Sequence, residues 1–315
     1  MKLQSNLGLV TLAISSLHSS TVTGLPFRTR GNSASQGEEN DAEADAVIYD
    51  GAQIINIAPS NHKKRNAVVE SYFQSSAGTN QDEDPSASQA LLTEIRNQAD
   101  DLKDFLVHTR RTLHRHPELQ YNEKDTSGVV QKVLTDLGIT FTTGWAVNKY
   151  PNVYPGPGGY GIVADIGTGK DPCVLLRADM DALPIFERTT DIDEFKSIND
   201  NKMHACGHDG HTTMLLGAAA VLKGMEESIN GTVRLMFQPA EEGGAGGKRM
   251  REEGVLNLSP KPQYAFGMHL WPVLPSGSVA GRPGPLLAAC ERFEVLIAGV
   301  GGHAAMPHLT VRCKR

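Results

Sequence analysis

Cys173-Val174-Leu175-Leu176-Arg177-Ala178-Asp179 decides the fold. The run is short, apolar almost throughout, and ends in acid. Apolar residues without alternation mark a strand buried on both faces, as in a sheet covered by helices. Upstream, Gly161-Ile162-Val163-Ala164-Asp165-Ile166 reads as another strand. Downstream, residues 212–223 carry Leu215, Leu216, Ala219 and Leu222 at helical spacing. Then come a strand, Thr232-Val233-Arg234-Leu235-Met236-Phe237, a helix over 247–253, and a strand, Tyr264-Ala265-Phe266-Gly267-Met268-His269. Strands alternating with helices predict an α/β domain, with a mostly parallel central sheet flanked by helices.

Order is expected from about Ser88. Leu91, Leu92, Ile95, Leu102, Phe105, Leu106 and Leu113 follow one helical stripe, which Pro117 stops. A second helix spans 126–137, with Gly138 as its C-terminal stop. Residues 25–88 are acidic and rich in Ser, Gly and Asn, which predicts a disordered leader. Residues 1–24 have a basic start, a short apolar core and a small-residue exit, the pattern of a signal peptide. The expected location is therefore secreted or in the endomembrane lumen, with the cytoplasm as the alternative. No apolar run reaches the roughly 18 residues of a membrane span. A net charge of -6 lacks the basic footprint of a nucleic-acid binder. Four cysteines in 315 residues do not make a disulfide scaffold. Cys173, Cys290 and Cys313 read as small buried hydrophobes, whereas Cys206 stands between two histidines.

In open α/β sheets, ligands bind where strands end at their carboxyl edge. Asp179 and Asp181 end one strand, Glu241 and Glu242 follow another, and His269 ends a third. Cys206 and His208 fall in a loop just before a helix, in Cys206-Gly207-His208-Asp209-Gly210-His211. A thiolate and imidazoles select Zn, Mn, Co or Ni over Mg or Ca. Asp209 is placed to orient a ligating histidine. Most adjacent glutamates are a solvated acidic turn. Here Gln238-Pro239-Ala240 before the pair and Gly243-Gly244 after it let the backbone approach a site, with one glutamate as ligand and one as general base. Asp179 and Asp181 read as ligands or as anchors behind them, the anchor role being favoured. His114, His116, Pro117 and Glu118 end a helix, where capping and site roles are equally open. His303, after Gly301-Gly302, is a further candidate, although a lone loop histidine is more often structural.

Residues 113–118, 176–187, 204–219, 235–254 and 266–308 closely resemble the dinuclear metal amidohydrolases. That family includes hippurate hydrolases, plant hydrolases of indole-acetyl amino acid conjugates, and bacterial N-acyl-amino-acid amidohydrolases related to aminoacylase and carboxypeptidase enzymes. The resemblance implies a zinc-exopeptidase-like fold and two divalent transition ions, Mn or Zn, with Co or Ni as alternatives. It implies metal ligands at Cys206, which would bridge the ions, and at His208, Glu242 and His269. It makes Glu241 the general base. Asp179 falls where more distant relatives carry a ligating His. His303 matches a lid-domain histidine that steadies the oxyanion in the partner's site of a homodimer. Glu241, Asp181 and His303 form the expected catalytic set. The implied substrate is a small N-acyl amino acid of the N-acyl-L-amino-acid, hippurate or indole-acetyl type.

Family members continue beyond the His303-Ala304-Ala305-Met306-Pro307-His308 run, and Val311-Arg312-Cys313-Lys314-Arg315 departs from their pattern. The expected organisation is a catalytic domain over 89–289, then the start of an unfinished α+β lid (dimerisation) domain over 290–315. Its first strand would be Phe293-Glu294-Val295-Leu296-Ile297-Ala298. On this reading the chain is an incomplete form of the enzyme with little or no activity, and its dimer is in doubt. The other readings are a metallo-carboxypeptidase or dipeptidase, and a non-catalytic metal-binding fragment.

Overall fold

Strand Thr232–Gln238 is buried at every position, and Cys173–Asp179 at all but one. These two apolar runs form the centre of the sheet. In the computed structural model, which describes residues 53–56, 85–281, 283–287 and 299–309, the chain divides into two units. One comprises Met1–Glu38 and Ile55–Val279, the other Glu39–Ile54 and Ala280–Arg315. The expected signal segment and the expected lid strand at 293–298 lie outside the described residues, as does most of the leader, where Gln53–Asn56 is a strand.

The first unit runs α1 (Pro85–Asp101), α2 (Lys103–Arg115), α3 (Lys124–Asp136), β1 (Phe141–Val147), β2 (Gly158–Gly167), β3 (Cys173–Asp179), α4 (His208–Gly224), β4 (Thr232–Gln238), α5 (Gly246–Glu252) and β5 (Pro262–Gly267). The five strands lie in the order β1-β2-β4-β3-β5. The α/β class is as expected, but the sheet is mixed rather than mostly parallel. β3 pairs in parallel with β4 and β5, whereas β2 is antiparallel to both β1 and β4. β1 and β2 form a hairpin, and Asn148 Nδ2 holds its loop by donating to the carbonyls of Tyr154 and Gly156, both at 2.7 Å.

Strand alternation sorts the core. Leu235 and Phe237 face the layer formed by Val130, Leu134, Leu215, Leu216 and Ala219 of α3 and α4. Met236, with Val163 and Leu175, faces Met250 and Val255 on the other side. α4 is buried on nearly all sides, as befits a helix with little polar surface. The single helix expected from 91 to 113 is two helices, broken at Leu102; Leu92, Ile95 and Ala99 of the first pack on Val221.

Arg234 is 1% exposed on the α5 side of the sheet. It forks onto Asp165 through Nε and Nη2, both at 2.8 Å, and Nη1 donates to the carbonyls of Leu258 and Pro260 at 3.1 Å. Replacing it by alanine strands those acceptors. Arg234→Ala should lower the free energy of unfolding by about 3 kcal/mol, read from urea denaturation. A loss under roughly 1 kcal/mol, the scale of a surface pair, would contradict this role.

Candidate metal centre

α4 begins at His208, four residues before the sequence pattern places it, so His208, Asp209 and His211 stand on its first turn. Gly207, at φ 86°, caps it in the left-handed region that favours glycine. A Cβ on Gly207 or Gly210 would come within 2.9 or 2.6 Å of Leu270 Cδ1. The two glycines therefore let the 268–271 loop press against the start of the helix. The neighbour of Leu270, His269, then meets Cys206, with Nε2 3.3 Å from Sγ.

The histidine tautomers follow from their partners, because a carbonyl only accepts and an amide only donates. His208 Nδ1 lies 2.8 Å from the carbonyl of Asp181, so it carries a proton, and Nε2 is the nitrogen that faces Glu241 and Glu242. His269 Nδ1 donates to the carbonyl of Leu270 at 2.8 Å, leaving its Nε2 bare beside Cys206. His211 has its proton on Nδ1 too, but both of its nitrogens are engaged: Leu270 N donates to Nε2 at 2.8 Å, and Nδ1 donates to Asp179 Oδ1 at 2.6 Å. Burial also holds the His211 pKa down, which suits a neutral acceptor.

Among the described residues, three groups gather donor atoms within 4.8 Å of one another: Cys206, His208 and His269; His208, Glu241 and Glu242; and Asp179, His208 and His211. The last is a hydrogen-bond chain, since both His211 nitrogens are already engaged. The first two share His208 and are free to take ions. His208 Nε2 lies 3.8 Å from both Glu241 Oε2 and Glu242 Oε1. His208 Nε2 and Glu242 Oε1 are buried with no hydrogen-bond partner. A buried polar atom without a partner is costly, and two that face each other beside a thiol and a second imidazole are what a cation would satisfy once the His208 proton is displaced. The donor set fits a divalent transition ion.

Asp181 is buried, and its two carboxylate oxygens accept the amides of Glu241 and Glu242, each at 2.9 Å. Its oxygens thus face the protein from behind the twin glutamates, which is the anchor placement. Asp179 is also an anchor: it takes His211 and Arg177, while Thr212 Oγ1 donates to its carbonyl at 2.7 Å. Burial works against its ionisation, but His211, His208 and Arg177 hold its carboxyl well below the usual range.

The orienting role expected of Asp209 is not what the structure has. Neighbouring helix positions point about 100° apart, so Asp209 turns away from the ligand side of His208. Its Oδ2 is bonded to His114 at 2.9 Å, and Oδ1 takes Gly210 N at 2.8 Å. Backbone carbonyls orient the ligating rings instead. His114 is buried and bridges Asp209 to Glu187 at 3.1 Å. Burial lowers its pKa, but the two carboxylates outweigh that and raise it. The alternatives left open at the end of α2 thus resolve for His114 as a strut under the ligand loop, while Glu118 accepts the amides of Asp125 and Thr126 at the start of α3. His303 belongs to the second unit, where it is exposed and accepts the amide of Ala305 at Nδ1, 3.2 Å away. His211 and Glu123 were not singled out from the sequence. His211 had a signal, the i, i+3 spacing from His208, which a helix start at 212 concealed.

Residues 175–312 match the family described as Peptidase family M20/M25/M40. The chain is 46% identical over 229 residues to IAA-amino acid hydrolase ILR1-like 2 of Arabidopsis thaliana, covering 73% of this chain and 48% of that protein. It is 42% identical over 224 residues to thermostable carboxypeptidase 2 of Saccharolobus solfataricus, covering 70% and 53%. It is 40% identical over 207 residues to N-acetylcysteine deacetylase of Bacillus subtilis, covering 65% and 50%. The chain spans about half the length of these relatives. The resemblance carried by the motifs is thus to a real set of homologues.

Burial, with the charge of Glu242 beside it, pushes the Cys206 thiol up to about 12. Burial lowers the His208 pKa, but Asp181 and Asp179 outweigh it and raise it to about 9. Both groups are protonated near neutrality and must lose protons to bind a cation. Metal binding should therefore release protons and tighten with rising pH, by about tenfold per pH unit for each proton displaced. Calorimetric titration of Zn in buffers of different ionisation enthalpy between pH 6 and 8 reads this. Affinity flat across that range would contradict the thiol and imidazole as ligands.

Proposed function

We propose that this chain, a homologue of the M20/M25/M40 peptidases over residues 175–312, acts as a metal-dependent amidohydrolase that cleaves the amide bond of N-acyl amino acids. One observation carries the reading. Two adjacent glutamates lie equally far from His208 Nε2, yet one side chain is 42% exposed and the other 19%. Glu242, with a buried orphan oxygen, has the placement of a ligand. Glu241 reaches outward, where a general base must meet water.

The proposed ligands are Cys206, His208, Glu242 and His269, taking two ions, Mn or Zn. Divalent ions held there would polarise the scissile carbonyl and lower the pKa of the attacking water. Glu241 takes a proton from that water as the new C–O bond forms. It then returns the proton to the nitrogen as the C–N bond breaks, so that acid and amine leave with the proton count balanced. Asp181 fixes the direction in which Glu241 points by holding its amide. His303 is proposed to steady the oxyanion from the second copy of a homodimer.

The names of two relatives, an IAA-amino acid hydrolase and an N-acetylcysteine deacetylase, share an acylated amino acid as substrate. The carboxypeptidase relative supports peptide cleavage as the second reading. Mn- or Zn-loaded protein assayed on N-acetyl and indole-acetyl amino acids beside dipeptides should favour the acyl amino acids. Glu241→Gln should lower kcat by about 10²–10⁴-fold with bound metal unchanged. Faster dipeptide cleavage would support the peptidase reading, and parental turnover by Glu241→Gln would overturn the base assignment.

A further inference from the structure

The turn that bears the twin glutamates is held from below by two carboxylates, and only one of them, Asp181, has been given a task so far. The other is Glu123, at the start of α3 and 117 residues away in sequence. It is fully buried. Its Oε1 accepts the amide of Ala240 at 2.7 Å, and its Oε2 is buried without a partner. Three consecutive amides, Ala240, Glu241 and Glu242, are thus captured by Glu123 and then by the two oxygens of Asp181.

Ala240 needs that capture. It is fully buried and sits at φ 54°, in the left-handed region that strains a non-glycine residue. A strained residue persists only where its surroundings hold it. Its carbonyl is tied to Gly246 N at 2.9 Å, and Glu123 ties its amide. The same segment secures the far side of the turn, where Tyr121 donates its hydroxyl to the carbonyl of Gly244. If Ala240 relaxed, the peptide planes of the next two residues would rotate, and both glutamate side chains would swing away from His208.

We propose that Glu123 is the positioning residue of the twin-glutamate turn, and that its acceptor oxygen on Ala240 N sets where Glu241 and Glu242 stand relative to His208. This deepens the amidohydrolase reading and rests on it for what the two glutamates do. The charge of Glu123 is not what the task requires. Burial, with Asp181 nearby, pushes its pKa up to about 8, so it is mostly a neutral acid at pH 7. A neutral acid still accepts through its carbonyl oxygen, and glutamine offers the same acceptor.

The test is Co(II) titration of the full chain, followed by visible absorption, with thermal melting in parallel. Glu123→Gln should bind Co(II) within about threefold of the parent. Glu123→Ala should bind about 10–100-fold more weakly, the usual cost of losing a partner that holds a metal ligand in place. It should keep the cobalt–thiolate band, because Cys206 stands on a different loop. If Glu123→Ala does not fold, Glu123→Asp keeps the acid but withdraws it from Ala240 N and should show the weaker binding instead. Parental affinity in the Ala or Asp variant would overturn the proposal, and so would a loss in the Gln variant as large as in these. Cobalt affinity does not depend on hydrolysis. A chain that binds Co(II) as described but cleaves no acyl amino acid would refute the functional reading and leave the role of Glu123 standing.

Discussion

Asp181 joins the two halves of the site. Its carbonyl accepts Nδ1 of His208 at the start of α4, and its carboxylate accepts the amides of Glu241 and Glu242 just past β4. One buried residue beyond the end of β3 therefore sets the tautomer of one donor and the backbone of two others. The parallel pairing of β3 and β4 makes this possible. It aligns Asp179 with Gln238 and brings both strands to their carboxyl ends at the same level. Breaking that pairing would separate the imidazole from the carboxylates, whatever else of the fold survived.

The rest of the site is held by a second chain of hydrogen bonds at the same sheet edge. Asp179 orients His211, His211 accepts Leu270 N, and Leu270 rests on Gly207 and Gly210. His269 is carried to Cys206 by that packing and not by a strand of its own, since β5 ends at Gly267. Ligand placement thus depends on buried polar groups satisfied pair by pair. Among the proposed ligands, His208 Nε2 and Glu242 Oε1 are left without a partner, and these a cation would satisfy. A low local dielectric strengthens the satisfied bonds and raises the cost of the orphans together.

Much of this was legible in the sequence where apolar runs end in polar groups. β3 and β4 were plain because they are apolar on both faces, and the site candidates at their ends followed from where such strands bind ligands. β1 was not legible. Phe141-Thr142-Thr143-Gly144-Trp145-Ala146-Val147 is mostly solvent-facing and lacks alternation, so the antiparallel half of the sheet went unread. The start of α4 was misplaced because glycines and polar residues usually break helices, whereas here a left-handed Gly207 caps one. That shift concealed His211 and sent Asp209 to the wrong partner. Glu123 gave no signal, because its partner, Ala240, is near it only in three dimensions.

The central claim is that Cys206, His208, Glu242 and His269 together form a cation site. X-ray absorption at the metal edge of Zn-loaded chain tests it most directly. The account predicts a sulfur neighbour at about 2.3 Å beside nitrogen and oxygen neighbours at about 2.0–2.2 Å, with the sulfur lost in Cys206→Ser. A shell of nitrogen and oxygen alone, unchanged by that substitution, would contradict it.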